Sequence, residues 1–336
     1  MRKFTLLSLP LGLLLTLFVL LQTAQPAKLP PERAGKIDAP LGQIAFIRNG
    51  SLWIMDWDGK RQFEVVTAEN ADGGISWAPD GRRIAFARKG RAELKGPDGL
   101  GGYHNVYDIF IAFLDSAEAG NKFWWNRVTG DMGGRFPYWT ADGSQIIFTN
   151  DLNANKVDPM EPNYQTCVID ATGGKIRSLR EDYQNTAFNV LMPTIGPNNE
   201  YAFVLKNRFD PKGVGICPLD KKTISEKDLG VSVKLIPGAA APAWSPDGKW
   251  LAYVESDLTK QGIYITTPDL SEKFLVYKPT VGKNLQTYPL SWSSNSKWIT
   301  FGLSDGSLWI IDITGNGLRQ LTGPGLNLNP VWSKHR

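Results

Sequence analysis

Few residues in this chain are of the types that do chemistry, and their placement decides which reactions are open to it. Histidine, the most frequent transition-metal ligand and neutral-pH base, occurs twice, at His104 and His335. His104 sits in GGYHNVYD and His335 is next to last, so a histidine-built metal centre is not expected. Asp80, Asp142 and Asp247 each precede a glycine in a turn-like stretch, where a carboxylate bonds nearby backbone N–H groups, and they read as turn formers. DWDG from Asp56 resembles the start of a calcium loop but lacks the later ligands and the closing Glu. Asp98, Asp158 and Glu161 lie instead in polar insertions, and paired carboxylates can hydrolyse glycosides without histidine. A serine hydrolase would need a hydrolase domain with a G-x-S-x-G nucleophile elbow, and the sequence is read as offering neither that motif nor the spare length.

What must position these residues is a repeat. SWAPDGRRIAFAR begins at Ser76, YWTADGSQIIFTN at Tyr138, AWSPDGKWLAYVE at Ala243 and SWSSNSKWITFGL at Ser291. The aligned tryptophans are Trp77, Trp139, Trp244, Trp292 and Trp332, and a worn copy, MPTIGPNNEYAFVL from Met192, aligns with Thr194 in the tryptophan's place. The spacings are then 62, 55, 50, 48 and 40 residues: a fixed unit with loops of varied length. Each unit reads as four antiparallel strands: a short one entered through Pro137, Pro193, Pro242, Pro289 or Pro330, a tight turn, an apolar strand, a strand ending at Asp, and an outer strand. Four-stranded units in series make propeller blades. The all-β reading is a six-bladed propeller over residues 43–336. It begins with a second strand, QIAFIR, and ends with a first strand, PVWSKHR, so pairing the two ends would close the ring and remove exposed edges.

The W-S-P-D-G-x-x-I/L-A-F/Y unit resembles the TolB-type, WD40-like (PD40) propeller repeat, most closely at Trp77, Trp139 and Trp244. The resemblance implies a β-propeller in a periplasmic or envelope setting. It covers the propeller only: TolB carries an α/β domain between signal and propeller, where this chain has residues 28–42. The same repeat occurs in prolyl-oligopeptidase-type peptidases and in oligogalacturonate lyases, whose hydrolase domain and histidine-rich metal site have no counterpart in the readings above. By blade position Cys167 and Cys217 are equivalent residues of neighbouring blades, too far apart to bridge, and read as two buried thiols.

The ends and composition set the compartment. Residues 1–27 start with Arg2 and Lys3 and continue as an apolar run from Phe4 to Leu21. At about 18 residues the run can serve as a cleaved signal peptide or as a retained signal anchor touching the membrane through residues 4–21. Gln25 or Gln22 would occupy the −3 position of the two candidate cleavage sites, and no Cys follows for lipidation. Residues 28–42 read as a linker. The whole chain has 42% hydrophobic and 21% charged residues and a formal charge of only +4, which excludes a nucleic-acid footprint.

Loop length then picks a face. Insertions at 89–106, 150–163 and 206–213 all fall between second and third strands, and the blade links AENADGG, GDMGGRF and EDYQNTAFN join them on one side. Asp98, Tyr103, His104, Asp131, Arg135, Asp158, Glu161 and Arg208 are the candidate partner-binding residues there. The expected function is a non-catalytic protein- or peptide-binding propeller of the bacterial cell envelope, an accessory subunit of a membrane-associated complex being one form of it. The expectation includes no cofactor or metal. The alternatives are a hydrolase or lyase acting on an envelope glycan or peptide through loop carboxylates, and a propeller that only holds an assembly together.

Overall fold

The computed structural model describes residues 40, 42–67, 69–95, 101–115, 123–156, 162–179, 188–207, 211–255 and 261–334. The expected leader helix and nearly all of the linker lie outside these residues. Among the described residues no helix is long and apolar enough to cross a membrane.

The chain folds into six four-stranded antiparallel sheets. The first contains β1 (Gln43–Arg48), β2 (Ser51–Asp56) and β3 (Phe63–Val66). The second is β4 (Ala71–Trp77), β5 (Arg83–Lys95), β6 (Gly101–Phe113) and β7 (Trp124–Arg127). The third is β8 (Gly134–Trp139), β9 (Gln145–Asp151), β10 (Tyr164–Asp170) and β11 (Arg177–Ser178). The fourth is β12 (Asn189–Ile195), β13 (Glu200–Lys206), β14 (Pro211–Pro218) and β15 (Lys234–Pro237). The fifth is β16 (Ala239–Trp244), β17 (Leu251–Glu255), β18 (Gly262–Thr266) and β19 (Lys273–Tyr277). The sixth is β20 (Ser291–Trp292), β21 (Trp298–Gly302), β22 (Leu308–Asp312) and β23 (Arg319–Gln320). The last strand, β24 (Asn327–Trp332), returns to the first sheet and pairs antiparallel with β1, Ile44 opposite Trp332 and Arg48 opposite Asn327.

The second strand of each blade is buried on both sides, which is why it reads as a continuous apolar run rather than an alternation. Ile44–Ile47, Ile84–Ala87 and Leu251–Val254 are consecutive buried residues. The turn before it is held as its composition predicts. Asp80 Oδ1 accepts from Arg82 N at 2.9 Å, Asp142 Oδ1 from Ser144 N at 3.0 Å and Asp247 Oδ1 from Lys249 N at 3.2 Å. Gly81 (φ 69°) takes the left-handed position that Ser296 (φ 58°) and Asn199 (φ 57°) hold in the divergent copies.

The prolines do not begin the inner strands, as their composition suggested; four of them lie within. Phe136, Met192, Ala241 and Asn329 have φ between 50° and 54° and are followed by Pro137, Pro193, Pro242 and Pro330. At each of these pairs the ladder to the second strand skips register. The bulge leaves one residue unpaired, so a proline, which has no N–H to give, costs no ladder bond there. This spacing also corrects the alignment of the worn copy. Trp139, Trp244 and Trp332 stand three residues after the left-handed residue, and so does Ile195, not Thr194.

Six apolar clusters lie between successive sheets. Trp77 joins the first and second sheets with Ile54 and Phe86, and Trp139 the second and third with Ile109 and Phe148. Trp244 and Trp292 do the same for the fourth and fifth, and the fifth and sixth. Trp332 packs with Ile44, Phe46, Leu308 and Ile310, from the first and sixth sheets. Where Ile195 replaces tryptophan, between the third and fourth sheets, the stacked rings of Tyr201 and Phe203 fill the volume, 4.6 Å between centroids. Cys167 and Cys217 form no disulfide and are buried in two different clusters; burial pushes the Cys167 thiol up to about 12.

Three indoles add a polar tie. Trp77 Nε1 donates to Val331 O at 3.0 Å, Trp139 Nε1 to Ser76 O at 3.1 Å and Trp292 Nε1 to Ala243 O at 2.9 Å. Each acceptor is the carbonyl just before the tryptophan of the preceding blade. Trp244 Nε1 and Trp332 Nε1 are buried without an acceptor among the described residues.

Two stability measurements follow. Trp332→Ala should cost about 3–5 kcal/mol, and deletion of residues 329–336 should cost more by stripping β1 of its neighbour; a truncated chain that melts with the full one would overturn the role given to β24. Trp139→Phe orphans Ser76 O whereas Trp244→Phe removes an N–H with no partner, so the first should be less stable by about 1 kcal/mol in denaturant titration.

Candidate binding site at the two ends of the propeller axis

The strand order puts the second-to-third connections and the blade links at one end of the propeller, the loop face. The Asp-containing turns and the third-to-fourth connections lie at the other, the turn face.

On the loop face, the insertion at 89–106 is not a loop. β5 and β6 continue in register from Lys89 opposite Tyr107 to Lys95 opposite Gly101, a two-stranded ribbon that outruns its blade. Its side chains alternate between half-buried and exposed, and that period of two was hidden by the polarity of RAELK and GGYHNV. Tyr103 and His104 are on this ribbon; Tyr103 is 64% exposed, with the Arg91 guanidinium 5.0 Å from its ring centre. The insertion at 150–163 starts inside β9, and Asp151 Oδ1 ties its ends by accepting from Asn153 N at 3.0 Å and Asn163 N at 2.9 Å. At 206–213 the insertion shrinks to a hairpin connection, since Lys206 of β13 pairs with Pro211 of β14. Asp98, Asp158, Glu161 and Arg208 lie outside the described residues.

Asp131 and Arg135 both lie at the entry to the third blade, with different neighbours. Arg135, the second residue of β8, lays its guanidinium 3.6 Å from the centre of the Tyr107 ring, with Tyr164 5.8 Å away. Arg135 Nε is buried without an acceptor, and no carboxylate is within ion-pair distance of Arg135, among the described residues. Asp131 accepts from Asn150 Nδ2 through one oxygen, while its other oxygen is buried with no donor. The nearest link carboxylate, Asp72, is already engaged: Tyr288 Oη donates to it at 2.8 Å, Gly73 N at 2.7 Å and Tyr107 Oη at 3.4 Å. Burial raises the phenols of Tyr107, Tyr164 and Tyr288 above the ordinary tyrosine value, and the Arg135 charge pulls each partly back. Asp72, Tyr107, Tyr164 and Tyr288 were not singled out from the sequence. No spacing links them; they meet only when strands of the second, third and sixth blades stand around one axis.

Tyr288 reaches over the axis from the link before β20, and its ring contacts Phe136, 6.4 Å between centroids. Phe136 in turn presses on Gly74, where an added Cβ would lie 2.8 Å from Phe136 Cα. These rings separate the loop face from a cavity of about 740 Å³ that the inner strands enclose. Phe136 lines the cavity's inner end, and Pro79, Pro197, Pro246 and Lys334 its rim on the turn face.

One motif reading is settled by geometry. Gly302-Leu303-Ser304-Asp305-Gly306 has the bare G-x-S-x-G spacing, which sequence reasoning passed over. It forms the β21–β22 turn, with Gly306 N donating to Leu303 O at 2.8 Å and Asn284 N to Ser304 Oγ at 3.2 Å. No helix follows, as a nucleophile elbow requires. Among the described residues no three His, Cys, Asp or Glu side chains group so as to hold a metal.

No protein-family model and no curated protein matches the chain. Solved structures do. TolB from Acinetobacter baumannii is 17% identical with a TM-score of 0.62, over 87% of this chain and 66% of that one, just under two thirds of its length. A candidate TolB from Agrobacterium tumefaciens is 14% identical with a TM-score of 0.58, over 87% and 91%. A chain of the nidogen/laminin complex is 8% identical with a TM-score of 0.59, over 86% and 97%. At these identities the likeness carries the fold: a six-bladed propeller of the TolB type.

The buried tyrosines predict how stability depends on pH. Their folded values are raised above 10.0, so their contribution is complete below about pH 10 and is lost as pH rises past it, when the unfolded chain ionises first. The melting temperature should therefore fall above about pH 10, and Tyr288→Phe should make that fall shallower. Equal slopes for variant and parent would mean that Tyr288 ionises freely.

Proposed function

We propose that this TolB-type propeller is a non-catalytic binding module of the bacterial cell envelope, a ring latched by the β1–β24 pair that takes a protein or peptide on its loop face. The observation that carries the reading is Arg135. It is a cation held between two tyrosine rings with no carboxylate within ion-pair distance among the described residues, and its Nε is buried without an acceptor there. Arginine and tyrosine in a half-buried setting are the usual anchors of interfaces. The exposed ribbon carrying Tyr103 stands beside them as a second contact. A propeller with a protein partner is found among the structural neighbours, in the nidogen/laminin complex. The envelope setting rests on the TolB-type repeat and on the leader, Met1 to Ala27, whether cleaved or kept as an anchor.

The geometry gives the face an orientation. Gln43 N donates to Ser333 Oγ at 3.0 Å on the turn face, so the chain joins the propeller there. A retained anchor would hold the turn face toward the membrane and leave the loop face turned outward.

The test is capture of a stoichiometric partner from envelopes. Lys89 and Tyr107 pair directly across the ribbon, so residues 90–106 can be replaced by a two-residue Asn-Gly turn without disturbing the blade. That variant and Arg135→Ala should keep the parent's melting behaviour and each lose about tenfold or more in partner affinity. Asp80→Ala, on the turn face, should bind as the parent does. Parent-like recovery by both loop-face variants would remove the loop face from the function.

A further inference from the structure

The cavity on the turn face has a charge pattern that the loop-face function does not use. Its walls are the apolar sides of the inner strands: prolines from five blades and the tryptophans at 77, 139, 244, 292 and 332. At about 740 Å³ it is the size of a small-molecule site. Among the described residues only two charged ones line it, Arg177 and Lys334, and no Asp or Glu does. Both are cationic, exposed at their ends, and at the rim rather than in the depth: Arg177 opens β11 and Lys334 follows β24. Lys334 has no carboxylate within ion-pair distance among the described residues; its Nζ stands 4.8 Å from the ring centre of Tyr138. Tyr138 is itself fixed, donating its hydroxyl to Ile195 O at 2.8 Å. Arg177 shares its charge with Asp170 at 3.2 Å, which lies outside the lining.

We propose that this funnel binds a single-chain anionic amphiphile, its apolar chain against the tryptophans and prolines and its carboxylate at the rim beside Lys334, with Arg177 adding to the positive field from the outer strand of the third blade. An apolar pocket favours the chain by the area it removes from water, and a rim whose described charges are both cationic selects the sign of the head group. The position fits the source of such a ligand. Ser333, one residue from Lys334, bonds Gln43, so the apolar leader's end of the chain joins the propeller at the rim of this cavity. Tryptophan and proline walls would suit an apolar peptide body too, but a peptide of ordinary composition brings backbone N–H and C=O groups, and the inner strands, bulged and proline-interrupted, offer it few partners. The proposal is independent of the loop-face reading: the two sites lie at opposite ends of the axis, with the Phe136–Tyr288 contact between them.

The test uses the full chain in lipid nanodiscs and a terminally brominated medium-chain fatty acid, whose bromine quenches tryptophan on contact. The brominated alcohol of the same length is the uncharged control. Saturable quenching by the acid is expected, about tenfold weaker with the alcohol. Lys334→Gln and Arg177→Gln, both surface changes that leave the fold alone, should weaken the acid and leave the alcohol as it was. Equal binding of acid and alcohol, or an acid affinity unmoved by both substitutions, would reduce the site to unselective apolar partition and overturn the proposal. So would displacement of the acid by an apolar-tailed peptide that binds more tightly than any acid tried. Loss of partner capture by the loop-face variants with quenching unchanged would separate the two sites.

Discussion

No blade of this propeller can stand alone, because each four-stranded sheet is apolar on both faces and covers neither. Everything else follows from stacking such sheets around an axis. The second strands bury runs of consecutive residues, and each gap between sheets is filled by one large side chain, tryptophan in five cases. A tryptophan there has two constraints, volume and one N–H. Three of the five satisfy the second by reaching the carbonyl beside the previous tryptophan, which locks blade to blade at a fixed height. The gap that lost its tryptophan kept its volume through Tyr201 and Phe203, and Tyr201 found another hydroxyl, that of Thr166. Volume is the stricter demand of the two.

The same stacking makes the ends of the axis unlike each other. Each bulged inner strand turns at a left-handed residue, and the identity of that residue decides how far it leans inward. Phe136 is the bulky one, and Gly74 opposite it is the concession that lets it approach. With Tyr288 leaning over from the sixth blade, the loop-face end is sealed and polar, built of tyrosine, aspartate and one arginine. The turn-face end is open and apolar, with two cations at its lip.

Much of the fold could be read from the chain: the number of blades, the turn chemistry and the first and last strands as parts of one sheet. The register of a motif written several times carries that information. The errors were local. Thr194 was aligned for Ile195 because the turn after it is one residue shorter, and only the left-handed residue and the proline behind it mark the true equivalence. The ribbon reads as a loop because the residues on its half-buried side are mostly not apolar, which hides the alternation. The site was legible only in fragments. Arg135 and Asp131 stand out as charges in a glycine-rich link, whereas Tyr288 and Asp72 meet over 216 residues of chain, a contact that no local pattern announces.

The shared first sheet also has a consequence in time. β1 is among the first strands to emerge and β24 the last, with 290 residues between Gln43 and the serine it bonds. Chains are made and exported from the N-terminus, so domains ordinarily fold as they appear. Here the first sheet must wait with one edge bare until the final strand arrives, and contacts of such separation are slow to form. An unpaired edge is a template for the wrong neighbour. Five blades can assemble in passing, but the last turn of synthesis decides whether the molecule is finished. In a crowded compartment, that makes the interval before β24 docks the stage at which a chaperone would matter most.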